Sequence, residues 1–184
     1  MHIAVFCASS NPRNKQFIDA AAALGRGIAL AGHTLLYGGS NLGLMGVVSA
    51  AAMEEGGRVV AVIPTLFSEE IIRSQRVTEL VRVRTMAERK ERLLADADAF
   101  VALPGGIGTF DEVSEVMVAN QLQIVDGKRC LDGFYRIKPM ILLNIDGFYN
   151  PFIEQLRLIK EEGLMRSEAG LKVAATVEDC LQII

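Results

Sequence analysis

The stretch that decides the fold is Ile3–Tyr37, IAVFCASSNPRNKQFIDAAAALGRGIALAGHTLLY. Its first run, Ile3–Ala8, is continuously apolar rather than alternating, as expected of a strand covered on both faces. After the turn-and-start signal Asn11-Pro12, the residues Phe17, Ala21, Leu24, Ile28 and Ala31 recur at the spacing of one helix face. Gly32 then stops the helix where a left-handed residue is favoured, and Thr34–Tyr37 forms a second apolar run. A strand, a helix and a strand in this order give a parallel pair joined by a right-handed crossover.

The same alternation continues through the apolar runs Val59–Ile63, Leu80–Val83, Ala99–Leu103, Met140–Ile145 and Lys172–Ala175. The expectation is an α/β fold, a Rossmann-like doubly wound parallel sheet with helices on both faces. A chain of 184 residues fits one such domain over positions 1–184, at roughly 100–200 residues per domain. Hydrophobic residues at 51% and charged residues at 22%, with a mean hydropathy of +0.30, exclude disorder, collagen-like repeats and a disulfide-stapled miniprotein. The least regular stretch is Val125–Ile137, which reads either as a surface excursion or as a lid or interface element.

A net charge of −3 gives no general attraction to nucleic acid or to an anionic membrane. His2 and His33 are the only histidines, so a His-based metal cluster is not expected. Cys7, Cys130 and Cys180 form no Cys-x-x-Cys pair and suit a reducing compartment. No basic leader precedes an apolar stretch, and no apolar run approaches the ~20 residues that span a bilayer. A soluble, cytoplasmic protein is expected.

In open α/β sheets, ligands sit beyond the carboxyl ends of the strands. Three such ends carry small or glycine-rich residues: Ser9-Ser10 after the first strand, Gly38-Gly39-Ser40-Asn41-Leu42-Gly43-Leu44-Met45-Gly46 after the second, and Pro104-Gly105-Gly106-Ile107-Gly108-Thr109 after Ala99–Leu103. All three should converge on one crevice. Glycines between a strand and a helix let backbone N–H groups approach an anion, and the helix dipole favours negative charge there. Thr109 adds a hydroxyl donor. The natural ligand is a phosphate or a phosphorylated sugar. No Gly-Lys-Ser or Gly-Lys-Thr follows either loop, and the first strand lacks a dinucleotide fingerprint. A nucleoside monophosphate therefore fits better than ATP or NAD.

Two residue groups admit two readings each. Thr109-x-x-Glu112 is a capping box by spacing, while Glu112 also lies where it could act as acid, base or electrostatic stabiliser beside a bound ribose phosphate. Arg89-Lys90, in the expected helix Met86–Ala95, reads either as a solvated face with a Glu88–Arg92 pair or as part of the site.

Leu103–Glu112, LPGGIGTFDE, resembles the P-G-G-x-G-T-x-x-E signature of the LONELY GUY (LOG) family. These are cytokinin riboside 5′-monophosphate phosphoribohydrolases, often mislabelled lysine decarboxylases. Met86-Ala-Glu-Arg-Lys90 resembles the family's M-H-x-R-K element. Tyr37-Gly-Gly with Gly43-Leu-Met-Gly46 is similar to Y-G-G-G-x-x-G-L-M-G, Cys7-Ala-Ser-Ser10 to C-G-S-S, and Asn144–Asn150 to N-x-x-G-Y-Y. The similarity runs from the first strand to about Leu164.

The resemblance implies hydrolysis of the N-glycosidic bond of an adenosine 5′-monophosphate-type substrate to free base and ribose 5-phosphate, with no metal or organic cofactor. It implies catalytic roles for Arg89 and Glu112. Lys90, Gly105, Gly106, Gly108 and Thr109 would bind ribose and phosphate, in the crevice shared with Ser9, Ser10, Gly38, Gly39 and Gly43. Arg89 would bind the nucleotide and orient Glu112, or assist the leaving base. A pyridoxal phosphate decarboxylase needs a Schiff-base lysine; only Lys90 lies near the expected site, and the family pattern already accounts for it.

Departures from the family pattern are Ser40 for glycine, Ala87 for histidine, Ala119 for tryptophan, Phe148 for tyrosine and the longer Val125–Ile137 link. They fall mainly on the base side, so the preferred base need not be a prenylated adenine. The rival readings are an AMP nucleosidase, a hydrolase of another modified nucleotide, and a non-catalytic nucleotide or molybdenum-cofactor carrier. Single-strand DNA binding is disfavoured by 6% aromatics and a negative charge. The resemblance also implies a homodimer, with the helix Phe110–Ile124 as its contact through Val113, Val116, Met117 and Val118, unless these residues serve the chain's own core.

Overall fold

The computed structural model describes residues 1–67, 76–122, 124–125, 128–129, 136–165, 167–168 and 170–184. Seven parallel strands form one sheet, each within two residues of its expected bounds: β1 (His2–Phe6), β2 (Thr34–Tyr37), β3 (Arg58–Pro64), β4 (Glu79–Val83), β5 (Ala99–Ala102), β8 (Met140–Leu143) and β9 (Leu171–Ala174). Between β5 and β8 lies an antiparallel ribbon that the sequence reading did not anticipate, β6 (Ile124–Val125) paired with β7 (Lys128–Arg129). Residues 126–127 and 130–135 of the expected excursion, with Cys130, lie outside the described residues, and so does any lid or interface role for them.

The helices are α1 (Lys15–Leu30), α2 (Gly43–Glu54), α3 (Met86–Asp96), α4 (Ile107–Leu122), α5 (Asn150–Glu161) and α6 (Val177–Ile183). Side-chain alternation along β1 sorts them into two layers. Ile3 and Val5 pack with Leu24 and Ile28 of α1, Val48 of α2 and Cys180 of α6, all buried. Ala4 and Phe6 point the other way, onto Leu93 of α3, Val113 and Val116 of α4 and Leu156 of α5. Fully buried Leu24 illustrates what holds the layers, since cutting such a leucine to alanine costs about 2–5 kcal/mol.

Helix α1 starts later than Asn11-Pro12 suggested. Asn14 is its cap, with Oδ1 accepting the Gln16 N–H at 2.9 Å, and Gly32 at φ +71° leaves the helix as expected. Helix α4 starts earlier than the capping-box reading required. Its first turn runs from Ile107, the Thr109 N–H donates to the Gly106 carbonyl at 3.0 Å, and Thr109 is inside the helix rather than at its cap. In α3, Glu88 pairs with Arg84 at 2.7 Å and Arg92 pairs with Asp96, so the expected Glu88–Arg92 pair is replaced by two others. Among the described residues no helix is long and apolar enough to cross a membrane.

The strand order β4-β3-β2-β1-β5-β8-β9 grows outward from β1 to β4 and then returns to the other side of β1 at β5. The direction of winding reverses between β1 and β5. The loops leaving their carboxyl ends diverge to opposite faces and open a crevice between them.

Candidate active site

Two of the three expected strand ends, those of β1 and β5, meet in one crevice at that reversal point, whereas the Gly38–Gly43 stretch after β2 does not line it. A cavity of about 320 Å³ opens there, lined from the β1 end by Cys7, Ala8, Ser9 and Ser10, and from the β5 loop and α4 by Gly106, Gly108, Thr109, Asp111 and Glu112. Met86, Arg89 and Lys90 reach it from α3, and Met45 from α2. This volume lies in the range of small-molecule sites. Backbone bonds tie the loops together: the Ala8 N–H donates to the Pro104 carbonyl at 3.3 Å, and the Met45 N–H donates to the Ala8 carbonyl at 3.2 Å.

The sequence-expected glycines divide into two kinds. Gly106 and Gly108 line the cavity, and a Cβ added to either would meet no described atom within 4 Å. Packing among the described residues does not demand glycine at these positions, and their backbone stands open to the cavity. Gly38 and Gly43 serve the protein itself. A Cβ on Gly38 would lie 1.9 Å from Arg89 Nη2, and one on Gly43 would lie 2.5 Å from the backbone of Ser9 and Ser10. Gly39 faces Ile63, and the space beside Gly105 is filled by the Thr109 side chain. None of these four glycines is among the residues that line the crevice.

Arg89 and Glu112 are the buried charges of the site, 7% and 6% exposed. Arg89 Nη2 donates to Glu112 Oε1 at 2.9 Å, so Arg89 does not lie on a solvated face, and with Thr109 inside the helix Glu112 does not close a capping box. Removing one member of such a pair is costly, about 3–5 kcal/mol, because it strands a buried charge. Glu112 uses one donor of the guanidinium. Nη1 faces the Met86 sulfur at 3.8 Å, and Nε has no hydrogen-bond partner among the described residues. A buried donor without an acceptor invites one from a bound molecule.

Burial pushes the Glu112 carboxyl up to about 7, against the downward pull of Arg89 and with a further push from Asp111. A carboxyl poised there exchanges a proton readily near neutral pH. The same burial pushes the Cys7 thiol far up, with Glu112 adding to the shift, so it is an inert wall of the cavity rather than a nucleophile. Lys90 lines the cavity, but its ammonium lies 3.0 Å from both Asp111 Oδ2 and Glu115 Oε2.

Several contributors escaped the sequence reading. Asp111 and Glu115 stand four residues apart on α4, a like-charge spacing that signals a cation between them. Buried Tyr149 donates its hydroxyl to the Leu103 carbonyl at 2.7 Å and anchors the root of the 104–109 loop, while its N–H donates to Asn144 Oδ1 at 2.7 Å. Only the N-x-x-G-F-Y-N stretch hinted at it. Met45 and Met86 gave no separate signal. Among the described residues no group of three or more His, Cys, Asp or Glu side chains is arranged to hold a metal ion.

The model of a family described as "Possible lysine decarboxylase" matches residues 45–184. The probable cytokinin riboside 5′-monophosphate phosphoribohydrolase LOGL2 of Oryza sativa subsp. japonica is 40% identical over 167 residues, covering 91% of this chain and 64% of that protein. The cytokinin riboside 5′-monophosphate phosphoribohydrolase LOG4 of Arabidopsis thaliana is 38% identical, covering 91% of this chain and 73% of that protein. The chain thus spans less than two thirds of the length of the rice relative. The molybdenum cofactor carrier protein of Chlamydomonas reinhardtii superposes with a TM-score of 0.68 at 22% identity, over 99% of this chain and 94% of that one. That likeness is one of fold alone.

Proposed function

The chain belongs to the family of LONELY GUY phosphoribohydrolases, and from that membership we propose that it hydrolyses the N-glycosidic bond of an adenosine 5′-monophosphate, with or without an N6 substituent as in cytokinin riboside 5′-monophosphate, to free base and ribose 5-phosphate. The observation that carries this reading is the buried Arg89–Glu112 pair in a cavity whose floor includes the open backbone of Gly106 and Gly108. A carrier needs the glycine cradle alone; a poised, buried carboxyl held by an arginine belongs to catalysis.

In this reading the 5′-phosphate lies against the first turn of α4, at the N–H groups that remain once Thr109 and Phe110 donate to the Gly106 carbonyl, with the hydroxyls of Ser9, Ser10 and Thr109 beside it. The C1′–N bond breaks as the base departs with the bonding electrons, leaving an oxocarbenium-like ribose. Ionised Glu112 stabilises that charge and takes a proton from the water that adds at C1′; that proton passes from Glu112, directly or through solvent, to the departing base, which restores the carboxylate. Arg89 holds Glu112 through Nη2 and offers Nε and Nη1 to the substrate.

The family's decarboxylase description implies pyridoxal phosphate, and these residues do not fit that cofactor. Lys90 is the lysine that lines the cavity among the described residues, and Glu115 and Asp111 push its ammonium up, away from the neutral amine a Schiff base requires.

We read residues 1–184 as one nucleotide-binding domain, because a single sheet runs from β1 to β9. Buried free Cys7 and Cys180 suit a reducing cytoplasm. We also propose a homodimer through α4. Val113, Val116 and Met117 are buried in the chain's own core, so the contact falls instead to Val118 and Leu122, which are 55% and 61% exposed. Sedimentation at micromolar concentration should give twice the chain mass; a monomer would end that part of the proposal.

Mass-spectrometric detection of products from AMP and isopentenyladenosine monophosphate tests the reaction. Wild type should release base and ribose 5-phosphate in equal amounts, and Glu112→Gln should bind nucleotide but turn it over about 10²–10⁴-fold more slowly. Binding without product in wild type would favour a carrier. Comparable turnover of the two substrates would assign the altered base-side residues to a relaxed preference, and a large preference for the prenylated one would refute that.

A further inference from the structure

Helix α4 carries three carboxylates within one turn and a half, Asp111, Glu112 and Glu115. Helix α3 answers them with two adjacent cations. Arg89 meets Glu112 at 2.9 Å, while Lys90 Nζ donates to Asp111 at 3.0 and 3.2 Å and pairs with Glu115 at 3.0 Å. The two rungs differ in setting. The first is buried, and the second lies at the cavity edge with Asp111 more than half exposed.

That second rung is poorly suited to the phosphate-binding role suggested for Lys90 by resemblance. An ammonium shared by two carboxylates carries no surplus charge, and an arriving phosphate would have to displace one of them while facing the other. Its position is well suited to something else. The charged and titratable groups around Glu112 are Arg89 and Lys90 from α3, Asp111 and Glu115 from α4, and the Cys7 thiol at the end of β1. Of these, Asp111 and Glu115 oppose ionisation of Glu112, and Lys90 sits between them.

We propose that Lys90 is a positioning residue: bridging Asp111 and Glu115, it docks α4 on α3 so that Glu112 meets Arg89, and it screens Glu112 from the two flanking carboxylates. The inference rests on the catalytic role proposed above for Glu112. Without Lys90, three carboxylates would face one guanidinium, and Glu112 would hold its proton more tightly. Without Asp111, Glu112 would release it more readily.

The test is the pH dependence of kcat and KM for AMP in wild type, Lys90→Met, Lys90→Arg and Asp111→Asn, joined to a ¹³C NMR titration of the Glu112 carboxyl in each full-length protein. Lys90→Met should move the rising limb of kcat, and the NMR midpoint, up by about one pH unit, in line with the effect of a close charge. KM for AMP should change less than about threefold, far below the roughly tenfold change that losing 1.4 kcal/mol of binding would bring. Lys90→Arg should restore the wild-type limb, and Asp111→Asn should move it down. A raised KM with an unmoved limb would make Lys90 a phosphate ligand and overturn the proposal. So would an NMR midpoint indifferent to Lys90→Met and Asp111→Asn. If wild type releases no base from AMP, the proposed reaction fails, and the NMR midpoints still decide what Lys90 does. Should Lys90→Met not fold, Lys90→Gln, which removes the charge and keeps a polar head, takes its place with the same expected upward shift and the same overturning result.

Discussion

Two glycine-rich loops, residues 38–46 after β2 and residues 104–109 after β5, begin from nearly the same local chemistry: a buried strand, a run of small residues, then a helix N-terminus. In the first loop the space a side chain would need is already taken. Arg89 stands over Gly38, Ile63 over Gly39, the Ser9 and Ser10 backbone over Gly43, and Asn41 over Gly46. In the second, Gly106 and Gly108 face no described atom within 4 Å. The first loop uses glycine to assemble the site, chiefly by letting Arg89 lie flat on the chain. The second leaves Gly106 and Gly108 open to a ligand, while Gly105 is closed off by Thr109. Two glycine loops at strand ends thus need not mean two phosphate cradles.

This contrast can be broken by substitution. The largest effect after loss of Glu112 itself should come from Gly38→Ala. Its new methyl would overlap Arg89 Nη2, and a displacement of about 1 Å at a catalytic group can cost 10²-fold in rate, so kcat should fall about that far. Thermal stability should fall too, because the guanidinium has buried surroundings and little room to move. Unchanged kcat in a folded Gly38→Ala protein would show that Arg89 is not held where the rate depends on it.

Next in size is the pH dependence. Glu112 is an acid raised by burial to about 7, so its ionised fraction, and kcat with it, should rise about tenfold from pH 6 to pH 8. A profile flat across that interval would mean that the carboxyl does not act as a base. The smallest effect belongs to the open loop. Gly108→Ala meets no described atom within 4 Å and replaces a helical glycine, so melting should be unchanged or raised by an amount equivalent to about 0.5–1 kcal/mol. KM for AMP should nevertheless rise several-fold. The pairing of lost binding with undiminished stability is the signature that separates this loop from the first.

Most of the fold was legible in the sequence, because continuous apolar runs between helical segments admit few arrangements other than a parallel sheet covered on both faces. All seven sheet strands lie within two residues of where those runs predicted. The site was legible in composition but not in geometry. Glycine spacing marks a backbone that something approaches closely, and it cannot say whether that something is Ile63, Arg89 or a ligand. Thr109-x-x-Glu112 had the spacing of a cap, yet α4 begins at Ile107, and that shift of the helix start frees the Glu112 carboxylate for Arg89, 23 residues away in sequence. Lys90 looked like one more free cation beside a phosphate loop. Its bonds to Asp111 and Glu115 depend on how α3 and α4 pack, which no local pattern encodes. Likewise, three of the four apolar residues expected at a subunit contact on α4 turn inward, because helix periodicity alone does not say which face meets the sheet.

The central claim is that a nucleotide binds where β1 and β5 diverge, with its phosphate on the open loop and its glycosidic bond at Glu112. A crystal structure of Glu112→Gln soaked with AMP tests it most directly. The 5′-phosphate should lie about 3 Å from backbone nitrogens of the 106–109 turn, with C1′ beside position 112 and the Arg89 guanidinium within hydrogen-bond reach of the substrate. A phosphate seated instead on residues 38–46, or a nucleotide bound elsewhere with this cavity free of it, would contradict the assignment of the two loops and of the reaction together.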